Sequence, residues 1–172
     1  KFKVNSVGAG LLAPNGTVAL GLSSANSNSG YSNVAIGSSA LFSNTGNSNL
    51  VAIGDSALFS STSTIENTAI GSKAMFANTS GSYNTAVGFH AAQLLNGGQS
   101  NTVMGDGAMY NATGGDFNVA LGSSSFTLNI QGSRNVAVGH NALFSSTYGY
   151  DNVGIGFNAL AYNSDGSNNI AI

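Results

Sequence analysis

The chain has no cysteine and no tryptophan, a single proline, and only four basic and six acidic side chains in 172 residues. Without cysteine there is neither a disulfide framework nor a thiolate metal site, although compartment is not decided by that absence. The four basic residues, Lys1, Lys3, Lys73 and Arg134, are scattered, so no basic patch exists to attract nucleic acid or an anionic membrane surface. No long apolar run and no charged-then-apolar leader is visible, and direct membrane insertion by this segment is not expected. Disorder is also disfavoured, because 42% of the residues are hydrophobic and the formal net charge is only -2.

What the chain does have is a fixed period. Gly21, Gly37, Gly54, Gly71, Gly88, Gly105, Gly122, Gly139 and Gly156 follow one another at one gap of 16 and then seven gaps of 17 residues. Such a short repeat cannot bury an apolar face within one unit, so successive units must stack. Helices are excluded, since glycine and asparagine recur too often for any helix to reach an ordinary length. The expectation is an all-β parallel β-roll, a solenoid of about nine 17-residue coils and about 43 Å in length. Residues 17–172 carry the repeats. Residues 1–16, with Pro14, match them poorly and read as an entry segment or degenerate first coil. Asn169 to Ile172 repeat the residues that elsewhere precede a key glycine, which suggests a fragment of a longer chain cut within a repeat.

Aligned on the glycine, the columns are chemically strict. Three residues before it every side chain is β-branched (Val34, Thr68, Thr85, Thr102 and Val136 among them), and one residue before it every side chain is large and apolar, as in Ile36, Val87, Met104 and Ile155. These two columns share a strand face, taken at this stage as the interior. The intervening alanines, Ala35, Ala52, Ala69, Ala86, Ala120 and Ala137, would then point outward. An outward alanine ladder is unusual enough to indicate close packing on another chain, and these six are the expected trimer interface. A second run, such as Ala40-Leu41-Phe42 or Ala57-Leu58-Phe59, reads as a second strand with one residue inward and one facing another apolar surface. On this reading each coil buries about three large side chains. Asparagine stands four residues before the glycine in most units, with Thr17 and Leu50 as exceptions, and stacked amides there would bond one another and their turns. A further glycine column, including Gly81, Gly98, Gly115 and Gly132, marks the other bend.

Units such as Asn33 to Phe42 (NVAIGSSALF) and Asn135 to Phe144 (NVAVGHNALF) resemble the NSVAIG-type repeats of YadA-like trimeric autotransporter adhesin heads, and equally repeats of this spacing in phage-type tail fibres. The resemblance spans about residues 17 to 172, at a longer period than the adhesin heads. It implies a left-handed parallel roll, a homotrimer of chains side by side, and an extracellular place on a bacterial cell surface or a phage or injection-system tail fibre.

Catalysis requires polar groups that converge. His90 and His140 stand three coils apart, about 14 Å along the axis, and Asp55 and Asp106 are equally separated. No cofactor, metal site or catalytic residue is expected, and Gly114-Gly115-Asp116 occurs once only, at the wrong period for a calcium-binding roll. Arg134 and Asp151, in one column of adjacent coils, should form a surface ion pair. The expected function is that of a non-enzymatic structural and adhesive segment of a surface fibre, attaching to a glycan or protein of a host or target cell. Its variable exposed columns, Glu66, Tyr83, Phe117, Arg134 and Asp151 before the glycine and Phe89, His90, His140 and Phe157 after it, would make the contact. The alternatives are an ice-binding or other flat-surface solenoid, suggested by Thr68, Thr85 and Thr102 in register, or a non-catalytic segment of a polysaccharide-degrading tail spike.

Overall fold

The computed structural model describes residues 2–4 and 7–172. Ten short parallel strands, one per coil, stack in chain order: β3 Val18–Leu20, β4 Val34–Ile36, β5 Val51–Ile53, β6 Thr68–Ile70, β7 Thr85–Val87, β8 Thr102–Met104, β9 Val119–Leu121, β10 Val136–Val138, β11 Val153–Ile155 and β12 Ile170–Ala171. The register never slips, so Ala69 lies beside Ala86 and Ala120 beside Ala137. The protein is a parallel β-solenoid of about nine turns with a repeat of about 17 residues. Residues 2–12 depart from the repeat: β1 Phe2–Val4 and β2 Val7–Leu12 pair antiparallel, and β2 lies antiparallel against β3. Of the entry segment, residues 1, 5 and 6 lie outside the described residues.

The facing of the strands is the reverse of the sequence expectation. Ala35, Ala52, Ala69, Ala86, Ala120 and Ala137 are all 0% exposed within a single chain and belong to its own core, so they cannot form an interface with a neighbour. The β-branched and large columns beside them point outward and are half-buried or exposed. The cause is the thinness of the coil. At Gly154, the one glycine in the alanine column, an added Cβ would sit 3.0 Å from the Ala159 carbonyl oxygen and 3.3 Å from Leu143 Cγ. A methyl group nearly fills the gap between the strand and the opposite wall, and Val103 is the one larger side chain that the described column turns inward.

That opposite wall is not a second strand. Ser39 and Leu41 take φ of 55° and 51°, and the Ala40 and Asn44 amides donate to the carbonyls of Gly37 and Leu41, three residues back. The chain therefore runs through successive tight turns, linked to neighbouring coils by bonds such as Leu41 N–H to Ala57 C=O at 3.0 Å. The left-handed conformation recurs at bulky residues, Met109 (50°) and Phe126 (53°) among them, where an L side chain is ordinarily disfavoured. It is held because these side chains fill the core: Leu41, Leu58, Met75, Met109, Phe126 and Leu143 are fully buried, and with Leu50, Leu95 and Val103 they bring one or two large side chains to a coil rather than three. The next residue faces out, and Phe42, Phe59 and Phe76 stack at centroid spacings of 5.0 Å.

Polar ladders do the rest of the work of the core. From Asn67 to Asn152, the side-chain oxygen of each asparagine accepts the backbone N–H of the asparagine one coil on, ending at Asn169, at 2.8–3.0 Å. Each amide nitrogen from Asn67 to Asn152 also donates to a glycine carbonyl, for example Asn84 to Gly98 and Asn118 to Gly132. The key glycines are required by contact as well as by conformation. Gly105 has φ of 139°, and a Cβ there would lie 2.5 Å from the Gly122 carbonyl oxygen of the next coil.

Candidate functional site

Two surfaces emerge from this geometry. The first is the outer face of the parallel strands. Val34 and Ile36, Val51 and Ile53, and their successors form two straight apolar rows along the rod, with Met104 52% and Ile155 37% exposed. Three residues by nine strands make a strip of about 400 Å², within the size range of the largest apolar patch on an ordinary monomer. Thr68, Thr85 and Thr102 belong to this outward face and not to the interior, a second consequence of the reversed parity. They occupy three rungs, with Val51 before them and Val119 after.

The second surface is the corner five and six residues before each glycine. Glu66, Tyr83, Phe117, Arg134 and Asp151 are all exposed there, each in the left-handed conformation at φ of 55° to 61°. Arg134 and Asp151 form the expected pair, with Nε to Oδ1 at 2.7 Å and Nη2 to Oδ2 at 2.9 Å. The hydrogen bond and charge of each raise the guanidinium pKa and lower that of the carboxylate. Both side chains are open to water, so the pair fixes geometry more than it stabilises the fold. Arg134 also lies over the Tyr150 ring, 5.8 Å from its centroid. Tyr31, Ile65, Tyr148 and Tyr150 are further exposed rings or aliphatic groups near this corner that the column analysis passed over. They were findable, since each lies one to three residues from a singled-out position and none can face inward.

The residues after the glycine form aromatic pairs. Phe89 stacks on His90 at 3.6 Å, His90 meets Tyr110 at 5.6 Å, and His140 stacks on Phe157 at 5.6 Å. The two pairs remain separate sites. His90 has its Nε2 shielded from water without a hydrogen-bond partner. Its pKa is lowered, first by burial and then by the Lys73 charge, with Asp106 opposing. A histidine with a folded pKa below its unfolded value binds a proton more readily when unfolded. Stability therefore falls as pH drops through the unfolded pKa of about 6.5 and levels off below the folded one. The expected result is a small loss of melting temperature between pH 8 and pH 5 that His90→Gln removes; an unchanged pH dependence in that variant contradicts the assignment.

Among the described residues no group of three or more His, Cys, Asp or Glu could hold a metal ion, and no helix is long and apolar enough to cross a membrane. The geometry thus offers long, repetitive, mainly uncharged surfaces, with an open and mainly apolar hollow lined by Asn111, Thr113, Leu128, Ile130 and Thr147. It defines the class, a parallel β-solenoid. No family model matches the chain, and no curated protein or solved structure is significantly similar to it.

Proposed function

We propose that this chain is a non-enzymatic structural and adhesive segment of an extracellular fibre, three copies of which associate side by side and attach the fibre to a cell-surface glycan or protein. The observation that carries this reading is the outer strand face. Two unbroken rows of valine, isoleucine, leucine, methionine and threonine run the length of the rod outside the core, in a register that never slips. β-branched rows of this kind suit packing against a second flat surface, and identical chains supply one. Val34, Ile36, Val87 and their equivalents therefore replace the buried alanines as the chain-to-chain surface. The number three and the location on a bacterial cell or a tail fibre follow the repeat resemblance. The exposed corner of Tyr83, Phe117 and Arg134 is left for attachment.

Light scattering tests the association directly. The wild type is expected at three times its 17.1 kDa chain mass. Val87→Glu, which places a carboxylate on the outer face, is expected to lower that mass, because an unpaired charge buried between chains costs several kcal/mol. Far-UV circular dichroism of each chain should stay close to the wild type. A wild-type mass of one chain, or a Val87→Glu variant of unchanged mass, overturns the association. Adhesion is read separately, from binding of the labelled rod to bacterial and host cells.

A further inference from the structure

We propose that the corner bearing Tyr83 and Phe117 is a binding track for an extended β-linked polysaccharide lying parallel to the rod axis. The proposal rests on the adhesive reading above and names its ligand class. Tyr83 and Phe117 occupy the same position of coils two apart and share almost the same backbone conformation, φ of 61° and 58°. Their Cα–Cβ bonds therefore leave the rod in the same direction, and both rings stay in water, 49% and 62% exposed. Strands β7, β8 and β9 between them stack without a register shift, which fixes the separation of the two positions at about 10 Å along the axis.

The intervening coil presents Gln99 and Ser100 at this corner, both polar, and the coil after Phe117 presents Ser133 and Arg134. The order is ring, polar group, ring, polar group. An extended β-linked glycan has the matching order, because alternate sugars are turned over and the same apolar ring face recurs every second residue. One pyranose with its linkage spans nearly the rise of one coil. Stacking platforms two coils apart therefore meet same-facing sugars, while the polar coil between them meets the hydroxyl-rich edge of the inverted one. An α-linked, coiling glycan does not keep its ring faces on a straight line. Arg134 and Asp151 neutralise each other and the remaining corner charges, Glu66 and Asp116, are acidic, which suits a neutral rather than an anionic ligand.

Calorimetric titration of the full chain with cellohexaose and chitohexaose, against maltohexaose, tests the track. The expected result is binding of at least one β-linked hexasaccharide and weaker or absent binding of the α-linked one. Tyr83→Ser and Phe117→Ser should each weaken binding about tenfold, the loss of one stacking platform. The decisive variant is the double substitution Ser100→Phe with Phe117→Ser. Ser100 has φ of 57°, so the ring moves to the adjacent coil without a change of backbone conformation. The number of rings is kept and only their spacing halves; binding should fall as far as in Phe117→Ser. No binding of either β-linked sugar, equal binding of maltohexaose, or wild-type affinity in the double variant overturns the track. So does a lowered oligomer mass in Tyr83→Ser, which would assign the corner to the chain interface. Cell attachment that survives Tyr83→Ser with Phe117→Ser overturns the track and leaves the adhesive reading standing, whereas a wild-type rod that attaches to no cell removes that reading itself.

Discussion

Ala86→Glu is expected to abolish the folded rod, not merely to separate its chains. Ala86 has no exposed surface in a single chain, and it lies between Ala69 and Val103 in adjacent coils. A glutamate there would have to overfill a space matched to a methyl group and desolvate a carboxylate with no cation in reach. Overpacking alone costs about 1–3 kcal/mol and the buried charge several more, comparable to the whole stability of an ordinary domain of roughly 5–15 kcal/mol. Loss of the β-type circular dichroism signal and of a cooperative thermal transition is the expected measurement. The neighbouring Val87→Glu is the internal control, because one step along the strand turns the side chain to the opposite face. If the two variants behave alike, the facing of the strands is wrong.

The second large effect belongs to the asparagine ladder. Asn118 accepts the N–H of Asn135 at 3.0 Å and donates to the Gly132 carbonyl at 2.9 Å, in a fully buried position. Asn118→Leu keeps similar bulk and leaves one backbone donor and one acceptor without their partner, at about 1–3 kcal/mol each. A loss of about 2–6 kcal/mol in urea unfolding is therefore expected, against less than about 0.5 kcal/mol for a change at exposed Asn26. Equal effects at the two positions would show that the amide ladder is incidental to stability.

The period, the parallel stacking and the polar ladders were legible in the sequence because each is a one-to-one demand. Only glycine tolerates the approach of the next coil at Gly105, and the Asn118 amide takes the Asn135 N–H on its oxygen while its nitrogen donates to the Gly132 carbonyl. The facing of the strand was not legible from hydrophobicity. Alanine and valine are both apolar, and the question of which points inward is decided by the width of the coil, a distance that no single repeat states. A clue lay in the buried asparagine column, which shares parity with the alanines: Asn84 and Ala86 alternate to the same side. The turn ladder was hidden for a different reason. Leu41, Met109 and Phe126 carry no residue-type signal for a positive φ, and their conformation is imposed by the core they fill. Among the candidate contacts, the Arg134–Asp151 pair followed from column and coil number alone. The aromatic pairing of Phe89 with His90 required side-chain positions.

The hydrogen bonds between coils run along the rod, so a fibre pulled end to end loads its coil junctions in series, like links of a chain. Every junction then bears the full force, and the poorest one sets the breaking strength. In the asparagine column two junctions lack the bond from side-chain oxygen to the next N–H: the Thr17 hydroxyl donates to Gly30 and accepts from Asn28 but does not take the Asn33 N–H, and Leu50, whose own N–H is held by Asn33, offers no amide oxygen to Asn67. A rod under tension should part first among the coils of β3 to β6, shedding its early turns while the continuous ladder from Asn67 onward holds.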